Sequence, residues 1–167
     1  MYQRILVPFD GSPTSLRGLD EAIEVALATG ARLRLVHLAD DLAYATGFET
    51  YAAYANEVLP CMRQAGNKIL QDGKTRAAKA GVNADTLLLE GSATRLADAV
   101  AEQASSWAAD LIVIGTHGRR GVGRWLLGSD AEQILRTAPA PVLLVRAAAD
   151  LAGAPAQAPA DAAPVVA

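Results

Sequence analysis

A chain of 167 residues suits one domain of ordinary size, able to bury a core without disulfides or metal. Half of it (51%) is apolar, yet no uninterrupted apolar stretch approaches the roughly 20 residues that cross a bilayer, so a soluble protein is expected. A formal net charge of −3 excludes a general affinity for nucleic acid or anionic membranes, and a lone cysteine, Cys61, excludes an internal disulfide.

Met1 leads straight into the strand-like Ile5-Leu6-Val7 with no basic-then-apolar leader, so the cytoplasm is the expected compartment. Phe9-Asp10-Gly11-Ser12-Pro13 reads as a loop ending in a cap and a first-turn proline. Leu16, Leu19, Ile23 and Leu27 then recur at helical spacing up to Gly30, which predicts a helix over 13–29. Arg32 to Leu38 is a second strand, and a helical crossover between the two makes them parallel neighbours.

The stretch from Asp40 to Ala55 carries Tyr44, Phe48, Tyr51 and Tyr54 without a clean period and reads as a loop. Val58, Met62, Ala65, Ile69, Gly73 and Ala77 form a helical stripe, predicting a long helix over 56–80, with Cys61 as inert packing within it. Thr86 to Leu89 is the third strand. A third helix opens at Gly91 and Thr94 and carries Leu96, Val100, Ala104 and Trp107 on one side; Asp110 to Gly115 is the fourth strand. A short helix over 129–137 leads through Pro139 and Pro141 to Val142-Leu143-Leu144-Val145, the fifth strand.

Strands that are apolar throughout, alternating with helices, give a doubly wound α/β domain: an open sheet of five parallel strands with helices on both faces. Residues 147–167 hold eleven alanines, three prolines and no Lys or Arg, so they are expected to be a disordered tail behind a 1–146 domain.

The chemistry concentrates between Gly115 and Ser129, GTHGRRGVGRWLLGS, directly behind the buried-strand pattern Leu111-Ile112-Val113-Ile114. Strand, glycine loop and helix start together make an anion site, with Ser129 a candidate N-cap whose following amides favour phosphate. A P-loop spacing from Gly118 to Gly123 fails because Arg124 and Trp125 stand where Lys and Ser or Thr are needed. A dinucleotide fingerprint from Gly121 fails at Leu126, the third glycine position. The spacing Gly115-x2-Gly118-x9-Gly128-Ser129 resembles the ATP-binding signature of the universal stress protein family. The resemblance extends over about residues 2–146, through Ile5-Leu6-Val7-Pro8 with Asp10-Gly11-Ser12, Leu33 to His37, Glu90-Gly91, Asp110 to Gly115, and Pro141 to Val145.

This resemblance implies the strand order 3-2-1-4-5 and an adenine nucleotide ligand, ATP or its products ADP and AMP. Pro8, Asp10 and Ser12 would line the phosphate side, with Mg²⁺ near Asp10 held through the phosphates, and backbone around His37 would meet adenine. Gly115, His117, Gly118, Arg119, Gly128, Ser129 and Asp130 would wrap ribose and phosphates, with one of Arg119, Arg120 and Arg124 reaching phosphate. Asp130 departs from the family pattern, which commonly has an apolar residue after the Gly-Ser pair.

Each residue also has a plainer role: Asp10 as turn chemistry, His37 as a satisfied histidine, Trp107 and Trp125 as core or lid. No second His, Cys or carboxylate accompanies His117 at ligand or triad spacing, which favours a nucleotide-binding regulatory protein over an enzyme. The alternatives are a slow ATPase or self-phosphorylating enzyme using Mg-ATP, and a dimeric interaction module that binds no nucleotide. A homodimer through strand 141–146 and an unidentified protein partner are expected, with no nucleic acid or membrane.

Overall fold

The computed structural model describes residues 1–39, 56, 58–90, 95–116 and 128–146. Its strands are β1 (Arg4–Pro8), β2 (Arg32–Ala39), β3 (Ala84–Glu90), β4 (Leu111–Thr116) and β5 (Val142–Arg146), separated by α1 (Pro13–Thr29), α2 (Leu59–Lys79), α3 (Leu96–Ser106) and α4 (Ser129–Thr137). All strand pairs are parallel, as the apolar strands and helical crossovers predict, and their order is β3-β2-β1-β4-β5, as the family resemblance implies.

Alternate residues of the central strands feed two cores. Ile5, Val7, Leu33, Leu35, Leu111 and Val113 face one side with Leu19 and Ile23 of α1 and Leu70 and Ala77 of α2. Leu6, Val36, Ile112 and Ile114 face the other with Val100 and Ala104 of α3 and Ala131 and Ile134 of α4. Because both faces of the sheet are covered, the central strands β1 and β4 show no polar alternation, whereas β2 sets Arg32 and Arg34 beside the buried Leu33 and Leu35. Burying one such Leu or Ile contributes about 1.5–3 kcal/mol.

Helix α1 starts and stops on local chemistry. Ser12 is its N-cap, with Oγ accepting from the Ser15 amide at 3.2 Å, and Pro13 sits in the first turn. Gly30 closes it at φ 74°, and its amide donates to the Ala26 carbonyl at 2.8 Å. The buried face is Leu19, Ala22, Ile23 and Ala26; Leu27 fits the same spacing but is 58% exposed, because it lies just off that face.

Three further expectations need correction. The α-helical part of α2 starts at Leu59, after helical residues at Asn56 and Val58 that agree with the expected start, and its buried stripe is Gly66, Leu70, Gly73 and Ala77, which leaves Ala65 exposed. Cys61 is exposed near the start of α2, so it is not packing. Strand β3 is longer than Thr86–Leu89, since it pairs with β2 from Leu33↔Ala84 to Ala39↔Glu90. The expected openings of the third helix at Gly91 and Thr94, the loop over 40–55 and the tail over 147–167 lie outside the described residues.

Two glycines let α1 lie close over the end of β4. A Cβ on Gly115 would stand 1.8 Å from the Thr14 carbonyl oxygen, and one on Gly18 would stand 2.7 Å from the Gly115 nitrogen. At the opposite edge of the sheet, the Asp110 carboxylate accepts from the Gln3 and Arg4 amides at 2.8 and 3.0 Å, tying the start of β1 to the start of β4.

Candidate functional site

The sheet order changes direction at β1: the chain runs from β1 outward to β2 and β3, then returns to β4 on the other flank of β1. The register Ile5↔Leu111 and Leu6↔Ile112 sets the carboxyl ends of β1 and β4 side by side. Open α/β sheets bind ligands in the crevice at such a switch point. A helix joining parallel strands runs back against them, so α1 and α4 both present their N-termini at this edge. The Asp10-Ser12 loop, the end of β2 at His37, Gly115 and the Gly128-Ser129 pair therefore share one end of the sheet.

The loop after β1 is tightly organised. Asp10 is exposed, with Oδ1 accepting from the Ser12 amide at 2.9 Å in a turn that passes through Gly11 at φ 76°. The turn role foreseen for Asp10 is thus real, and a ligand role would be added to it. Partial burial works against ionisation of this carboxyl, but hydrogen bonds from the Ser12 and Ser15 hydroxyls and the Ser12 amide outweigh it. The net effect holds the carboxyl below its ordinary value of 3.8. The stabilisation from this lowering is complete above that ordinary value and is lost as pH falls through the lowered, folded-state one. Asp10 is therefore an anion throughout the neutral range.

Ser12 is half-buried, its hydroxyl 3.0 Å from the Thr14 hydroxyl, and Pro8 is buried as the last residue of β1. Thr14 and Ser15, which the sequence did not single out, are buried beneath this loop; the cluster of small polar residues over 12–15 was the available signal. The half-buried imidazole of His37 bonds through Nδ1 to the Phe9 carbonyl at 2.9 Å, as expected of a satisfied histidine. Arg34 lies 4.5 Å over the half-buried Trp107 ring, which occupies that ring within the fold.

At the other end of the long loop, Ser129 proves to be the first helical residue and Gly128 the N-cap, one position earlier than expected. Gly128 has no side chain with which to cap. The first intrahelical bond runs from the Glu132 amide to the Gly128 carbonyl at 3.0 Å, so the Ser129, Asp130 and Ala131 amides precede it. Gly128, Ser129 and Asp130 are exposed, and a Cβ on Gly128 would meet nothing within 4 Å among the described residues. Asp130 and Glu132 place carboxylates in the first turn; Glu132 pairs with Arg136 at 2.6 Å. His117, Gly118, Arg119, Arg120, Arg124 and Trp125 lie outside the described residues.

Comparison with known proteins agrees with this architecture. The universal stress protein family matches over residues 1–146. A universal stress protein of Thermus aquaticus is 37% identical over 151 residues, covering 87% of this chain and 100% of that protein. Among solved structures, a family member from Burkholderia pseudomallei is 32% identical with a TM-score of 0.68, covering 87% of this chain and 97% of its own. A universal stress protein crystallised in complex with cAMP is 27% identical with a TM-score of 0.59, again over 87% and 97%. With the strand order, the paired β1 and β4 ends and a match over the whole described fold, the chain belongs to the universal stress protein family.

Proposed function

We propose that this chain is a cytoplasmic regulatory protein of the stress response that binds an adenine nucleotide, ATP or its products ADP and AMP, at the carboxyl edge of the sheet. The observation that carries the reading is the N-terminus of α4, opened by a glycine that makes no side-chain cap and whose Cβ position is open among the described residues, on the same edge as the Asp10 loop. Three amides ahead of the first helical bond, with the helix dipole, form a phosphate cradle worth about 0.3–1 kcal/mol from the dipole alone. The related protein solved with cAMP supports the ligand class.

In this reading Ser129 and Asp130 offer backbone amides, and the backbone near His37 meets the base. Gly118 and one of Arg119, Arg120 and Arg124 contact phosphate, and His117 touches ribose or phosphate. No group of three or more His, Cys, Asp or Glu side chains suited to a metal comes together among the described residues. A Mg²⁺ ion would therefore take Asp10 as its protein carboxylate and its other ligands from phosphate and water, which suits its preference for substrate phosphates. Occupancy changes conformation or the choice of a protein partner, and any hydrolysis or self-phosphorylation is slow; a steady turnover assay separates this from an ATPase.

Mass spectrometry of small molecules released from the purified protein tests the reading. ATP, ADP or AMP at substantial occupancy is the expected result. A ligand-free protein that also ignores added Mg-ATP would leave the dimeric interaction module as the surviving alternative.

The same reading includes a homodimer. Among the described residues β5 is the last strand of the sheet, with Leu143 packed toward one core and Leu144 toward the other. Pairing residues 141–146 with a second copy about a two-fold axis covers its outer side. Leu144→Lys should give monomer or insoluble protein in sedimentation, whereas an unchanged dimer would move the interface elsewhere.

A further inference from the structure

Phe9, the residue ahead of Asp10, is held by β2 at both of its backbone groups. Its amide donates to the Val36 carbonyl at 2.8 Å, and its carbonyl accepts from His37 Nδ1 at 2.9 Å. The second bond lies beyond the last β1–β2 pair, Pro8↔Val36, so a side chain takes over where the ladder stops. The imidazole has its place because α2 carries Gly66 above it: a Cβ there would stand 3.1 Å from His37 Cδ2 and 2.6 Å from Leu88 Cδ1. One residue further along, the chain makes the Asp10 turn, whose carboxylate accepts from the Ser12 amide at 2.9 Å.

We infer that the His37 side chain is a positioning residue for the nucleotide site, fixing the Phe9 carbonyl and through it the direction in which the Asp10 carboxylate is presented. This rests on the nucleotide-binding reading and adds a side-chain role at a position otherwise credited only with its backbone. A carbonyl accepts, so Nδ1 carries the proton; neutral imidazole does this in one tautomer and imidazolium does it as well. The bond sets the geometry of the Phe9 carbonyl.

The test uses the full chain in two variants and two measurements. His37→Phe keeps a planar ring and removes the donor, while His37→Asn carries an amide nitrogen near the position of Nδ1. In His37→Phe, the Ser12 amide resonance, which reports its bond to Asp10 Oδ1, should shift in the NMR spectrum, and Mg-ATP should bind about tenfold more weakly, equivalent to about 1.4 kcal/mol. His37→Asn should recover both. A loss of melting temperature alone, with the Ser12 amide resonance and nucleotide affinity unchanged in His37→Phe, would overturn the inference, because a purely structural bond would give that pattern. If the wild type binds no nucleotide, the nucleotide reading falls by itself; the Ser12 amide resonance, measured without ligand, still decides whether His37 positions the turn.

Discussion

Gly115→Ala is expected to lower the melting temperature by about 6–12 °C with no nucleotide present. The added Cβ would stand 1.8 Å from the Thr14 carbonyl oxygen and 2.4 Å from its carbon. These are backbone atoms of the first turn of α1 and cannot rotate aside, so α1 must lift from β4. Overpacking costs about 1–3 kcal/mol and occasionally more. At about 3 kcal/mol and about 2–4 °C per kcal/mol for a domain this large, the stated fall follows. Gly18→Ala should act in the same direction, since its Cβ would meet the Gly115 nitrogen at 2.7 Å. Calorimetry of the ligand-free variants is the check, and an unchanged melting temperature would mean that α1 does not sit this close to β4.

Gly128→Val is expected to do the reverse, keeping the fold and losing the ligand. Gly128 has φ −58° and ψ 148°, which any residue adopts, and the described protein leaves its Cβ position open. The branched side chain would instead occupy the approach to the amides ahead of Glu132. Losing two hydrogen bonds to a charged phosphate, at about 1.5 kcal/mol each, removes about 3 kcal/mol, or roughly 100-fold in Kd. Asp10→Ala should fall between, weakening ATP more than AMP, because a carboxylate acting through Mg²⁺ senses the polyphosphate and not the adenosine. Undiminished ATP binding by Gly128→Val, measured calorimetrically, would reduce the Gly-Ser pair to turn chemistry.

The contrast between these two glycines shows what the sequence could and could not tell. Both stand at specified positions of one spacing, Gly115-x2-Gly118-x9-Gly128, yet one is a tertiary close approach and the other an open helix start. Nothing local distinguishes them, because the atom that forbids a side chain at Gly115 belongs to Thr14, far away in the chain. The same limit explains His37, whose partner Phe9 is 28 residues away. Features set by neighbouring residues were legible: the apolar runs of β1 and β4, the Ser12-Pro13 start of α1 and the Gly30 stop. Helical spacing gave α1 its face but counted Leu27 into it, since periodicity fixes a stripe only to within its width. Ser129 was placed one residue off as N-cap because glycine and serine both serve there, and the backbone decided for Gly128.

The nucleotide claim is tested most directly by titrating ligand-free wild-type protein with Mg-ATP while following its melting temperature. At free ligand about 100 times Kd, linkage gives about 2.7 kcal/mol, and the melting temperature should rise by roughly 5–11 °C. A flat melting temperature up to millimolar Mg-ATP would contradict the account.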